Sequence, residues 1–401
     1  MTLTARRTPA TTAAPIPFAD CYMTEEAVQG ARRVMESGWV TMGAETASFE
    51  EKFAEYVGAQ HAVAVSSCTA AIELALRSMR LPAGARVLTS TMTFCGAVQA
   101  ILHAELTPVL VDVVEATGMP SPATVAQAVD AHGPASAMVV VHWAGDPADV
   151  SALAAAAGLP MDCVVEDAAH ALGAQLGGTA VGLGAAVCFS FYATKNLPVG
   201  EGGMITTHDP ERAAWLRSAR LHGMSKDAWR RYLPGGGWRY DVPEAGLKAN
   251  FTDLQAAIAS GQLLHLDGWQ QRRAEIAALY DELLGRVPGL GLPHRPAPGS
   301  GTHAWHLYPV RLGGSSPHRD AVIEKLTAAG IGTSVHFIPV HHLSFFASAS
   351  LCQPGGLPGA DRMFADLMSL PLYPRLTDAQ VHRVCDVLED ALLAQHQEVR
   401  P

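Results

Sequence analysis

The sequence predicts an α/β protein with a mostly parallel central sheet and a smaller C-terminal α+β lobe. Short apolar runs alternate with helical patterns between residues 61 and 170. That alternation marks β-α-β units whose strands are covered by helices on both faces. A long helical stretch follows, and the Pro- and Gly-rich GLPHRPAPGSGTHA (291–304) reads as a linker to a second set of strand and helix patterns.

Taken in order, MTLTARRTPATTAAPIP carries Arg6 and Arg7 with no apolar stretch behind them, so it is not a signal peptide. Residues 1–17 read as a mobile tail. From Thr24 to Tyr56 two amphipathic helical patterns flank the turn SGWVTMG. HAVAVSSCTAAIELALRSM gives a strand, a small-residue turn and a helix. ARVLTS and TPVLVDV are strands around helical GAVQAILHA, and SAMVVVHWAG is a strand before helical DVSALAAAAG. CVVEDAAH and VCFSFYA (187–193) are strands, and Gly200 to Gly203 form a tight loop before MITT. Residues 210–247 break the alternation with the basic, aromatic HGMSKDAWRRYLPGGGWRY. FTDLQAAIASGQLLHLDGWQQRRAEIAALYDELLGRV restores helical periodicity. HLYPVRL, AVIEKLTAAG and TSVHFIPV build the smaller lobe. The expected division is a large domain over 18–270 and a C-terminal domain over 271–401.

With 401 residues, 49% hydrophobic and 16% charged, the chain can bury a large core and is not disordered. The charge balance, 28 − 38 = −10, argues against a general nucleic-acid binder while leaving room for a local basic pocket. Seven cysteines form no C-x-x-C pair and lie mostly in apolar runs, as buried reduced thiols do. No apolar stretch is long enough to span a bilayer, and a cytoplasmic protein is expected.

The chemistry gathers where strands end. Lys195 sits in FSFYATKNLPVGEGG (189–203), between an apolar strand and a glycine loop. SSCTAA (66–71) is a strand-to-helix turn whose free N–H groups and hydroxyls suit a phosphate, although a helix cap at Ser67 or Thr69 explains it equally simply. Asp167 follows an apolar strand, where a carboxylate is paired, hydrogen-bonded or a helix cap. His170 is three residues on, and Ser190 and Phe94 also lie at strand ends. A phosphate turn, a strand-end aspartate and a strand-end lysine are the parts that hold pyridoxal 5'-phosphate: the lysine forms a Schiff base and the aspartate keeps the pyridine nitrogen protonated. Desolvation by apolar neighbours would make the lysine nucleophilic. GGTAVGLG (177–184) lacks the lysine and hydroxyl of a P-loop and is not a dinucleotide fingerprint.

From about residue 16 onward the chain resembles the DegT/StrS-type nucleotide-sugar aminotransferases, which have the aspartate aminotransferase fold (fold type I). The resemblance rests on GWVTMG, SSCTAAIELAL, TPVLVDV, VEDAAHALGA, FSFYATKNLPVGEGG, NFTDLQAAIASGQL, VHFIPVHH and SLPLYP, in that order. It implies that Lys195 carries the cofactor, Asp167 meets its pyridine nitrogen, Phe94 stacks on its ring and His170 lies near its phenolic oxygen. Cys68, Thr69 and Ser190 would hold the phosphate, Cys68 standing where the family usually has glycine. Asn250 would reach the phosphate of the neighbouring subunit, implying a homodimer.

The resemblance also implies L-glutamate as amino donor and a nucleotide-linked keto-sugar as acceptor. HGMSKDAWRRYLPGGGWRYD is similar to versions acting on 4-keto-6-deoxyhexoses. Arg230, Arg231 and Arg239 are candidates for the diphosphate, a solvated basic loop being the alternative, and Thr41 and His336 are further substrate candidates. A 3-keto sugar or keto-inositol is the alternative substrate. A dehydratase on the same scaffold is a second alternative: one known kind replaces the lysine with histidine, another carries an iron–sulfur cluster for which these cysteines offer no ligand set. A regulatory protein retaining the fold is the third. No metal is expected.

Overall fold

The computed structural model describes residues 14–225, 239–313 and 316–398. Helices α1 (Glu25–Ser37) and α2 (Ala44–Val57) flank the SGWVTMG turn as expected. Thr24 caps α1 through its side chain, and Gly38 ends it with φ 75°, a conformation that favours glycine.

The alternation then runs β1 (His61–Val65), α3 (Cys68–Ser78), β2 (Arg86–Ser90), α4 (Cys95–His103) and β3 (Thr107–Val111). It continues with α5 (Pro122–His132), β4 (Ala137–Val141), α6 (Val150–Ala157), β5 (Val164–Asp167), β6 (Val187–Ser190) and β7 (Gly203–Thr207). These strands form one sheet in the order β1-β7-β6-β5-β4-β2-β3. Only β7 runs antiparallel to its neighbours. Most strand residues are buried, as strands covered on both faces require. One face packs Ile72, Leu76 and Ile101 against Val63 and Ile205. Elsewhere an aromatic cluster forms, with Phe53 and Phe189 ring centroids 5.1 Å apart and edge-on. Because the strands other than β7 point one way, Asp167, Ser190 and the N-terminus of α3 all fall at the sheet's carboxyl edge, where open α/β sheets place ligands.

VCFSFYA pairs as a strand only to Ser190. Phe191 and Ala193 donate instead to the carbonyls of Gly202 and Gly200, so the chain doubles back and carries Lys195 on the resulting loop. Helix α7 (Pro210–Ala219) follows β7. Next come α8 (Asp253–Leu263), capped by Thr252 and Gln255 in a reciprocal capping box, and α9 (Leu266–Leu284).

The smaller lobe holds the antiparallel pair β8 (Tyr308–Arg311) and β10 (Leu367–Leu370), with helices α10 (Ser316–Ala328), α11 (Pro358–Asp366) and α12 (Asp378–Glu398). Between α10 and α11, the short β9 (Leu351–Cys352) returns to the large sheet beside β3. The residue 270/271 division falls inside α9. Leu266 belongs to a core of the large sheet, whereas Ile276, Tyr280 and Leu284 belong to that of the smaller lobe.

Two expectations need correction. Residues 14–17 are not a mobile tail: Ile16 is 1% exposed, its N–H donates to Gly330 O, and its carbonyl accepts from Gly332 N. One isoleucine between prolines shows no periodicity, so the sequence concealed this docking. TSVHFIPV is not a strand. It contributes a single bridge, Ser334 to Ser369, before a 3-10 turn at Val340–His342.

Candidate active site

A cavity of about 480 Å³ opens at the carboxyl edge of the sheet. Cys68, Thr69, Phe94, Asp167, His170, Ser190, Lys195 and His336 all line it, although they come from segments distant in sequence. Thr41, Asn250 and Arg239 do not line it in their own chain. The Thr41 carbonyl accepts from Asp253 N, and Asn250 pairs with Val65 in an isolated bridge. Asn250 does not cap α8; Thr252 does. Arg230 and Arg231 lie outside the described residues.

Ser67 accepts the N–H of Ala70 and starts α3, whose first turn presents Cys68 and Thr69 to the cavity. The unpaired N–H groups of a first helical turn carry partial positive charge and suit an anion. Gly203 of β7 passes so close to this turn that a Cβ would meet Ser67 C and O and Cys68 N at 2.5–2.7 Å. Gly203→Ala is therefore expected to destabilise the fold by about 1–3 kcal/mol through overpacking against backbone. Denaturant melting would measure it, and an unchanged midpoint would refute the close approach.

Asp167 ends β5, and its Oδ1 accepts from Ala169 N at 3.1 Å and from Cys68 Sγ at 3.7 Å. Burial pushes the carboxyl above its ordinary range, opposed by the Ala169 N–H and the nearby Lys195 charge. Burial likewise lowers the Lys195 amine to about 8, with Asp167 pulling the other way. A larger fraction of Lys195 is thus a neutral nucleophile near pH 8 than of an ordinary lysine titrating near 10.4. In the cofactor-free protein, its labelling by an amine reagent should rise with a midpoint near pH 8. A midpoint above 10 would contradict this environment.

A residue absent from the sequence-derived set completes the group. His306 Nε2 lies 3.4 Å from Lys195 Nζ. Asn196 Nδ2 donates to Ala304 O at 2.8 Å and Gln270 Oε1 at 3.0 Å, which fixes Asn196 Oδ1 as an acceptor. His306 Nδ1, 3.1 Å from that oxygen, must carry the proton. The Nε2 lone pair therefore faces Lys195. Burial and the Lys195 charge hold His306 well below the usual histidine range, so it stays neutral. In HLYPVRL it reads only as a residue at a strand start, and no local pattern separates it from other histidines.

His170 packs with its ring 4.4 Å from that of His306 and 5.8 Å from that of Phe337. Its Nδ1 is buried with no hydrogen-bond partner among the described residues. Buried polar atoms are seldom left so, and this one indicates a polar ligand atom. Phe94, at the N-cap of α4, is 61% exposed although phenylalanine is usually buried. Ser190 Oγ accepts from Tyr192 N, and His336 Nδ1 lies 3.0 Å from Ser369 Oγ.

An amine of lowered pKa, a buried carboxylate, an unpartnered imidazole nitrogen, an open phenyl face and a helix N-terminus fit pyridoxal phosphate in this cavity. On this fold they suit a pyridoxal-phosphate-dependent enzyme, and the family and structural neighbours of the chain are sugar aminotransferases. The chain belongs to the DegT/DnrJ/EryC1/StrS aminotransferase family, whose profile matches residues 21–389. It is 41% identical over 379 residues to the spore coat polysaccharide biosynthesis protein SpsC of Bacillus subtilis (strain 168), covering 94% of this chain and 96% of that protein. The fold is similar to that of the aminotransferase TlmJ from Streptoalloteichus hindustanus, with TM-score 0.84 and 32% identity over 95% of this chain and 100% of that one. It is also similar to the PLP-form of the putative sugar aminotransferase Spr1654 from Streptococcus pneumoniae. There the TM-score is 0.86 with 27% identity, over 95% of this chain and 99% of that one. Among the described residues no helix is long and apolar enough to cross a membrane.

Proposed function

We propose that this protein moves an amino group from L-glutamate onto the keto group of a nucleoside-diphosphate-linked deoxysugar, a 4-keto-6-deoxyhexose, as a cytoplasmic homodimer with shared sites. The observation that carries the reading is the convergence of the Lys195 amine and the Asp167 carboxylate on one cavity beside the N-terminus of α3. The similarity to SpsC supports a sugar substrate, and the segment 222–241 supports the 4-keto position.

Bound pyridoxal phosphate supplies the electron sink that lets a C–H bond next to nitrogen ionise. Lys195 Nζ would hold the cofactor and, as a neutral amine, would take and return the substrate proton. His306 Nε2 accepts an N–H from that amine and fixes its direction. Asp167 would present its carboxylate to the pyridine nitrogen, and the Ala169 N–H and Cys68 thiol keep that carboxylate in place. His170 Nδ1 would face the phenolic oxygen, Phe94 would cover the ring, and Thr69, Ser190 and the first turn of α3 would hold the phosphate. Cys68 can offer its backbone N–H there as glycine would. Incubation with glutamate and a panel of keto-sugar nucleotides should give an aminated 4-keto-6-deoxyhexose. Turnover confined to a 3-keto sugar or a keto-inositol would replace this substrate assignment.

The shared site has its own test. Asn250 does not line its own chain's cavity, and in the single chain its amide bonds locally to Lys248 Nζ and Phe251 O, contacts it would exchange for a partner's phosphate. Losing a hydrogen bond to a charged group costs about 1.5–3 kcal/mol, so Asn250→Ala should bind cofactor weakly and turn over poorly. Mixing it with inactive Lys195→Ala should restore activity, because one site of the mixed dimer inherits both defects and the other neither. If mass measurement confirms mixed dimers and no activity returns, the sites are not shared.

A further inference from the structure

The motif VHFIPVHH gives His336 and Phe337 to the cavity, but its last two residues, His341 and His342, do not line it. They sit on the 3-10 turn Val340–His342, opposite Asp361 in the first turn of α11. Asp361 Oδ1 lies 3.0 Å from His341 Nε2 and 2.8 Å from His342 Nε2. The two rings stand 4.3 Å apart at 66°.

Both halves of this cluster are held by the ends of neighbouring strands. Just beyond β2, the Thr91 carbonyl accepts from Val340 N, and the fully buried Thr91 places its Oγ1 2.8 Å from His341 Nδ1. Just beyond β3, the Asp112 carboxylate accepts from Gly359 N and Ala360 N and so fixes the start of α11. Neither support belongs to the cofactor cavity.

We propose that His341, His342 and Asp361 form a binding site for a divalent transition-metal ion of the zinc class, with water completing the coordination. The three ligand atoms lie within 4.8 Å of one another. A tetrahedral zinc site with bonds of about 2.0–2.1 Å sets its corners about 3.3 Å apart. The two Asp361–histidine separations, 3.0 and 2.8 Å, need open only a few tenths of an ångström to match that spacing. Two imidazoles and one carboxylate suit zinc and its neighbours rather than magnesium or calcium, which prefer all-oxygen sets. With an ion in place of the proton between His341 Nε2 and Asp361, His341 Nδ1–H would donate to Thr91 Oγ1, 2.8 Å away, the outer-shell arrangement metal-binding histidines commonly have. His342 and Asp361 are exposed enough to give the ion an entry path and water a place. Once bound, the ion ties the His336–Phe337 segment to α11, so it acts on the wall of the active-site cavity from outside. This site does not depend on the aminotransferase reading.

The test is titration of untagged, chelator-treated and dialysed holoenzyme with Zn²⁺ by calorimetry, repeated with Co²⁺ by visible absorption. We expect one ion per chain in the micromolar range, a cobalt band of four-coordinate intensity, and at least tenfold weaker binding in both His342→Ala and Asp361→Asn. Both positions are partly exposed, and melting without metal checks that the variants are folded. Absence of saturable one-per-chain Zn²⁺ binding, or an effect smaller than tenfold in either folded variant, overturns the site.

Discussion

Lys195→Ala is expected to lower turnover by at least about 10²–10⁴-fold, the usual loss when a positioned proton-transfer group is removed. The loss should exceed that of any other single substitution, because on the proposed reading the same nitrogen both attaches the cofactor and moves the substrate proton. The first turn of α3, Ser190 and Asp167 remain in this variant, so cofactor should still bind without a covalent link. The amine sits where burial holds it near pKa 8, and among the described residues no other lysine lines the cavity to replace it. Single-turnover kinetics with glutamate measure the effect. A loss of less than tenfold would move the chemistry to another residue.

Asp167→Asn is expected to slow the glutamate half-reaction by about 10²–10³-fold with only a modest loss of cofactor affinity. The direction follows from charge. In the cofactor-free protein, burial raises the Asp167 pKa. A protonated pyridine nitrogen against it reverses that tendency, since an opposite charge favours the ionised carboxylate. Two unit charges about 4 Å apart at an effective dielectric near 20 interact by roughly 4 kcal/mol, which sets the upper end of the effect. Asparagine keeps an oxygen for the Ala169 N–H and the Cys68 thiol, so the fold should survive. Equal half-reaction rates in variant and parent would show that another group protonates the ring.

The parts of this site legible in the sequence are those that local pattern exposes. A carboxylate or an ammonium at the end of an apolar run is conspicuous, and Asp167 and Lys195 stood out for that reason. Ser67 showed itself as a cap because capping is a matter of a few adjacent residues. His306 did not, since its place beside Lys195 is set by packing across 111 residues of sequence and by the Asn196 amide. Ile16 was hidden for a similar reason: its partners, Gly330 and Gly332, lie at the far end of the chain. His341 and His342 are visible as a pair, but the third member of their cluster comes from a separate helix. Thr41 and Asn250 are at the start of α8 rather than in their own chain's cavity, a placement that depends on tertiary packing alone.

The central claim is that this cavity holds pyridoxal phosphate on Lys195. Borohydride reduction of the holoenzyme, followed by peptide mapping, tests it most directly, and with only five lysines in the chain the assignment is unambiguous. A single phosphopyridoxyl label is expected, on the peptide containing Lys195. Label on Lys248 or any other lysine, with Lys195 unmodified, would contradict it.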